Sequence, residues 1–223
     1  ERKGVPPDVL ELAFPPLREV ETEEQRGPEL EYVEGHPLSL ARSWEIEGAR
    51  LTYRLDPGRR WSDGRPIRSR DVAFTFALLM DTTLALPLSS VTERLDSLTT
   101  PDDSTVVLHF AEAYPGMLFD TGIGILPSHA LSDVPGSAWT GGMPGLDPAH
   151  PDALPVSGPF RLSAWGSDRI VLARNEASPS PALLDRVVVD VIPDETTRAR
   201  ALSAGEIHAA PFDSYPAAAS VTG

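Results

Sequence analysis

Apolar and polar positions change period several times along the chain. Leu51, Tyr53 and Leu55 alternate with Thr52 and Arg54, the period of a half-buried strand. Asp56-Pro57-Gly58 then reads as a turn. The spacing switches to a helical stripe at Val72, Phe76, Leu79 and Met80, with Ser69 as the expected N-cap and Asp71 in the first turn, where the helix dipole favours a carboxylate. Thr105 to Phe110 alternates again, with Val106, Leu108 and Phe110 on one face. Phe160-Arg161-Leu162 and Ile170 to Arg174 predict a hairpin around Gly166-Ser167-Asp168. Arg186 to Ile192 is β-branched and largely apolar, which predicts a buried strand ended by Pro193. Asp194 is placed to cap a second helix running to about Gly205. The pattern predicts the α/β class, an α+β arrangement around a mixed sheet.

Between these elements lie stretches without periodicity. Residues 1–35 carry ten acidic and four basic side chains, a net of −6, and Glu19, Glu21, Glu23 and Glu24 read as a solvated acidic run. Residues 132–159 are rich in Pro, Gly, Ser and Asp and read as a long irregular connection. Trp44 and Trp61 are expected in the core beside the strands. Ser62-Asp63-Gly64 reads as a turn in which Gly64 supplies a positive φ.

Charge and composition narrow the function. The 223 residues hold 19 Lys+Arg against 33 Asp+Glu, a net charge of −14, which argues against nucleic acid and anionic membrane as partners. No apolar run approaches the roughly 18 residues of a membrane span. Glu1-Arg2-Lys3 does not open a signal peptide, so an exported protein would have lost its leader from this chain. Cysteine is absent, which removes disulfides, thiolate metal sites and thiol catalysis together.

Catalytic chemistry is equally thin. His36, His109, His129, His150 and His208 include no pair at helical ligand spacing, so no metal site is expected. Ser157-Gly158 lacks the preceding glycine of a nucleophile elbow and leads into a strand rather than a helix. Asp63 and Asp71 each have a structural explanation, a turn and a helix start. No nucleophile, base and oxyanion donors converge, no phosphate loop or dinucleotide fingerprint is present, and neither an enzyme nor a cofactor is expected.

Leu40-Ala41-Arg42-Ser43-Trp44-Glu45, Leu51-Thr52-Tyr53-Arg54-Leu55, Pro57-Gly58-Arg59-Arg60-Trp61-Ser62-Asp63-Gly64-Arg65-Pro66-Ile67 and Asp71-Val72-Ala73-Phe74-Thr75-Phe76 follow one another in order. Downstream come Tyr114-Pro115, Gly124-Ile125-Leu126-Pro127-Ser128-His129-Ala130-Leu131, Gly158-Pro159-Phe160-Arg161-Leu162, Leu184-Asp185-Arg186-Val187, Ile192-Pro193-Asp194-Glu195-Thr196-Thr197-Arg198 and Ala204-Gly205-Glu206-Ile207. From about residue 30 to 210 this series resembles the bacterial extracellular solute-binding proteins of family 5, the dipeptide-, oligopeptide- and nickel-binding components of ABC importers. The resemblance implies the first lobe of a two-lobe, periplasmic-binding-protein-like fold (class II, cluster C), with the second lobe absent. Residues 37–150 then correspond to a small inserted subdomain, and 1–36 with 151–223 to part of the main domain.

The resemblance also implies capture of a peptide or other small polar solute by hinge closure and delivery to permease subunits. It implies a monomer at the periplasmic or extracellular face of the envelope, with a lipid anchor on the full-length protein left open. Phe14 and Pro15 resemble a segment bordering the cleft, Ser157 and Gly158 sit at the return into the main lobe, and Tyr114 is a loop aromatic that either caps the sheet or faces the cleft. These five are the expected cleft-lining residues. Two departures stand out. Pro155-Val156-Ser157-Gly158-Pro159-Phe160 is one glycine short of the family's usual turn, and Glu176-Ala177-Ser178-Pro179-Ser180-Pro181 replaces an aromatic pair after Asn175. They favour the main alternative, a degenerate lobe acting as a sensor or protein-interaction module. Nickel or haem capture ranks below that, since no histidine cluster supports it.

Overall fold

A computed structural model describes residues 20–21, 31–32, 39–84, 91–141 and 144–212, with 218 and 221. Its larger sheet has four antiparallel strands, β3 (Ala41–Glu47), β4 (Arg50–Leu55), β5 (Leu95–Asp102) and β6 (Thr105–Phe110), in the order β3-β4-β6-β5. A short pair, β1 (Val20–Glu21) and β2 (Glu31–Tyr32), stands apart. The second sheet joins β7 (Phe160–Trp165), β8 (Arg169–Arg174) and β9 (Arg186–Asp190) in sequence order, also antiparallel.

The alternation in β4 and β6 does what its period requires. Leu51, Tyr53, Val106 and Leu108 are fully buried on one face, and the register pairs Leu51 with Leu108 and Tyr53 with Val106. Helix α1 (Ser69–Met80) packs on this face through Val72 and Phe76. The expected stripe is shorter than its spacing suggested, because Leu79 is half-buried and Met80, the last helical residue, is exposed. Trp61 is fully buried in the same core and Trp44 packs half-buried at its margin. Gly64 has φ +85°, the left-handed turn position that a side chain would strain.

The N-terminus of α1 differs from expectation. Arg68, in extended conformation, precedes the helix, and Ser69 is its first residue. The Ser69 hydroxyl is taken by the carbonyl of Asp102 at 2.6 Å, which ties the helix start to the β5–β6 turn. Asp71 then accepts the Arg68 amide at 2.9 Å, satisfying one of the donors that a helix start leaves open.

Two short helices, α2 (Met117–Asp120) and α3 (Ser128–Leu131), follow β6, and a 3₁₀ turn spans Gly136–Gly141 inside the long irregular connection. Helix α4 (Glu195–Ser203) is capped by Asp194, whose carboxylate accepts the Thr197 amide at 2.7 Å, and Gly205 closes it at φ +72°. The apolar residues form two clusters. One runs from Leu40 to Val156, the other joins Phe160, Leu162, Ile170 and Leu172. β9 is not the buried strand its composition suggested. Among the described residues it pairs with β8 alone, and its side chains alternate: Val187 and Val189 pack on the second cluster, whereas Val188 on the opposite face, like the following Val191, is 42% exposed.

Candidate functional site

The chain passes from one apolar cluster to the other through Ser157-Gly158-Pro159, and polar bonds hold this passage on both flanks. Upstream, Ser62 in the Trp61–Gly64 turn pairs with Val156. The Ser62 amide donates to the Val156 carbonyl at 2.7 Å, and the Val156 amide donates to Ser62 Oγ at 3.1 Å. Downstream, Asn175 directly follows β8 and is 2% exposed. Its Nδ2 donates to the Gly158 carbonyl at 2.8 Å and its amide to the Pro159 carbonyl at 2.9 Å. Its Oδ1 accepts from Ala177 at 3.1 Å, so the side chain is used at both ends.

Ser157 lies inside this frame at 3% exposure. Its hydroxyl is shielded from solvent and has no hydrogen-bond partner among the described residues. Gly158 is buried beside it.

Tyr114 occupies a separate environment after β6. Its hydroxyl donates to Asp120 Oδ2 at 2.9 Å, the Arg94 guanidinium lies 4.7 Å from its ring centroid, and the Phe110 ring meets it edge-on at 5.6 Å. A Cβ at Gly116 would stand 3.0 Å from the Tyr114 ring, so glycine is what lets the chain pass there. Burial, and then the hydrogen bond to Asp120, push the phenol above its ordinary range, so it stays a protonated donor.

The neighbours named for Tyr114 and those named for Ser157 and Gly158 have no residue in common. Phe14 and Pro15 lie outside the described residues.

A third network escaped the sequence reading. Asp71, 1% exposed, collects four donors from three segments. Its Oδ1 accepts the Ser128 amide at 3.0 Å and the Ser128 hydroxyl at 2.5 Å; its Oδ2 accepts the Arg68 amide and, at 3.4 Å, Trp61 Nε1. Beside it, His129 Nε2 lies 2.8 Å from Asp63 Oδ2, and the His129 ring stands edge-on to Trp61 at 6.1 Å. This network clasps the Trp61–Gly64 turn to α3. Its only sequence signal was a carboxylate next to an apolar helix face. Among the described residues no group of three or more His, Asp or Glu is arranged to hold a metal ion. No described helix is long and apolar enough to cross a membrane.

Residues 37–222 match the family model for bacterial extracellular solute-binding proteins, family 5. The chain belongs to this family. Over 185 residues it is 29% identical to a Brucella ovis protein named as an ABC transporter peptide-binding protein, covering 78% of this chain and 33% of that one. It is 25% identical over 200 residues to the periplasmic oligopeptide-binding protein OppA of Salmonella typhimurium, covering 78% of this chain and 35% of that one. Among solved structures, the Bacillus subtilis oligopeptide-binding protein AppA, in complex with a nonapeptide, superimposes with a TM-score of 0.76 at 23% identity, over 93% of this chain and 39% of its own. The fold is therefore that of the family, and the chain spans about a third of the length of these relatives.

Proposed function

We propose that the chain supplies the first lobe of an ABC-importer solute-binding protein, one that closes on a peptide or other small polar solute and presents it to permease subunits. The observation that carries the reading is the family match over residues 37–222. Peptide is favoured because the similar proteins are named for peptides and oligopeptides, and because hydrogen bonds to a ligand's backbone let one cleft accept many side chains. The role is capture and release without catalysis, at the periplasmic or outer face of the envelope.

In this reading residues 37–150 form the inserted subdomain, and 1–36 with 151–223 belong to the main domain. The two apolar clusters support the division, with Leu154 and Val156 leaning back onto the first. Ser157 and Gly158 are then the joint between the two units. They line the cleft through their backbone, since the Ser157 hydroxyl is shielded. Phe14, Pro15 and Tyr114 complete the proposed lining. The test is the complete protein with a pool of short peptides, read by isothermal titration. Saturable binding that weakens in Tyr114→Ala and Phe14→Ala supports the reading. Binding unchanged in both variants removes the lining assignment, and no binding to any peptide favours an interaction module instead.

A further inference from the structure

Asp63-Gly64 is the single Asp-Gly pair of the chain, and no Asn-Gly pair occurs. Aspartate before glycine is open to succinimide formation, because no Cβ shields the glycine nitrogen. In that reaction the Gly64 nitrogen attacks Asp63 Cγ and a new N–C bond forms. One carboxyl oxygen leaves as water, taking one proton from the Gly64 amide and one from solvent. Water then opens the ring. Breaking the bond from the Gly64 nitrogen to the Asp63 backbone carbonyl carbon leaves iso-aspartate, in which the chain runs through Cβ and Cγ. Breaking the new bond restores aspartate.

The folded turn engages every group this step needs. The Gly64 amide donates to the Trp61 carbonyl at 2.9 Å, which occupies its hydrogen. Asp63 Oδ1 accepts the Arg65 amide at 3.0 Å. Oδ2 faces His129 Nε2 at 2.8 Å, and Arg65 Nε stands 3.6 Å from the same oxygen. A carboxylate only accepts, so Nε2 is the donor. Whichever oxygen leaves as water, one of these bonds is lost with it. Of the donors to Asp63, His129 alone comes from outside the turn. Its side chain is 9% exposed, its ring stands edge-on to Trp61 at 6.1 Å, and its neighbour Ser128 is fixed to Asp71.

We propose that Asp63-Gly64 is a latent isomerisation site that the His129 bond holds closed. The bonds to Trp61 and Arg65 belong to the turn itself, whereas the bond to His129 exists only while α3 is docked against it. Water is the one co-reactant. The consequence of isomerisation reaches beyond the turn. Iso-aspartate adds one carbon to a backbone that closes with the Trp61 amide 2.9 Å from the Arg65 carbonyl. Ser62, in the same turn, makes both bonds to Val156, so a distorted turn loosens the passage between the two apolar clusters. The inference rests on bonds within this chain and does not depend on the transport reading.

Ageing the complete protein at neutral pH tests the proposal. Digestion with Asp-N protease, which does not cut at iso-aspartate, followed by mass spectrometry reads the state of Asp63. The wild type should convert slowly when folded and readily when unfolded in urea. His129→Ala should convert at Asp63 about tenfold faster than the folded wild type, the scale of one lost bond to a charged group. His129→Phe keeps a ring beside Trp61 without the donor. It should accelerate conversion likewise, and it carries the test if the alanine variant does not fold. Asp96-Ser97 and Asp103-Ser104 report general opening and should keep the wild-type rate in both variants. An Asp63 rate equal to that of the wild type in both variants overturns the proposal. So does a slower rate, which would make His129 a proton donor to the leaving oxygen. Equal acceleration at all three aspartates also overturns it, because general opening then explains the change.

Discussion

Asn175 Nδ2 donates to the carbonyl of Gly158 at 2.8 Å, bridging the residue just after β8 to the segment that leads into β7. Both residues are buried, so the carbonyl has no water to turn to when the amide is removed. Asn175→Ala should therefore cost about 1–3 kcal/mol, the usual penalty for stranding a buried polar group. Asn175→Asp should cost at least as much, since it keeps an acceptor for the Ala177 amide but turns a second one toward the Gly158 carbonyl. Urea unfolding read by tryptophan fluorescence checks both. A midpoint unchanged in either variant would show that the passage between the clusters does not depend on this bridge.

Asp71 serves four donors with two oxygens, and an asparagine there offers one oxygen and an amide that faces donors. Asp71→Asn should destabilise the chain by about 2–4 kcal/mol, the range for losing charge-assisted bonds in a buried site. Ser128→Ala removes only one of the four donors and should cost about 1 kcal/mol. Denaturant midpoints of the two variants give the comparison, and equal costs would contradict the convergence of three segments on one carboxylate.

Tyr114 makes stability depend on alkaline pH. Its folded-state value is raised, by burial first and by the Asp120 hydrogen bond second. The contribution is complete below the ordinary tyrosine value of about 10 and fades as pH climbs from there toward the raised value. Spectrophotometric titration of the folded chain should show a late tyrosine phase, and Tyr114→Phe should reduce its amplitude. A wild-type titration without a late phase would contradict the environment described for Tyr114.

At acid pH the sign reverses. Asp194 is lowered chiefly by the Thr197 hydroxyl, Asp81 by the Thr83 hydroxyl and Asp102 by the Ser104 amide. Each favours folding above the unfolded carboxylate value of about 3.9, and that contribution is lost as pH falls through the lowered folded value. Asp194→Asn keeps an acceptor for the Thr197 amide but no longer titrates. Its melting temperature should fall less steeply below pH 4 than that of the wild type, and parallel slopes would count against the cap.

Local elements were legible because their causes are local. The alternation of Leu51, Tyr53 and Leu55, the hairpin around Gly166-Ser167-Asp168 and the Asp194 cap each rest on neighbours a few residues apart. What was missed depends on distance along the chain. Ser128 reaches Asp71 across 57 residues and Val156 reaches Ser62 across 94, and no pattern in either segment announces the other. Ser69 looked like a cap, but its hydroxyl is used by Asp102, 33 positions away. β9 read as buried because composition reports what a strand could bury, and which neighbours flank it is settled by the tertiary fold. Of the expected cleft residues, Tyr114 has its hydroxyl engaged by Asp120 and its ring by Arg94, while the Ser157 hydroxyl has no partner among the described residues, which nothing in its surrounding sequence foretold.

The central claim is that this chain works as one lobe of a solute-binding protein. Native mass spectrometry of the protein as its own cells make it tests that claim most directly. The account predicts a polypeptide well above 24.0 kDa carrying a small non-covalent adduct of peptide mass. A bare species near 24.0 kDa, unchanged when peptides are added, would contradict it.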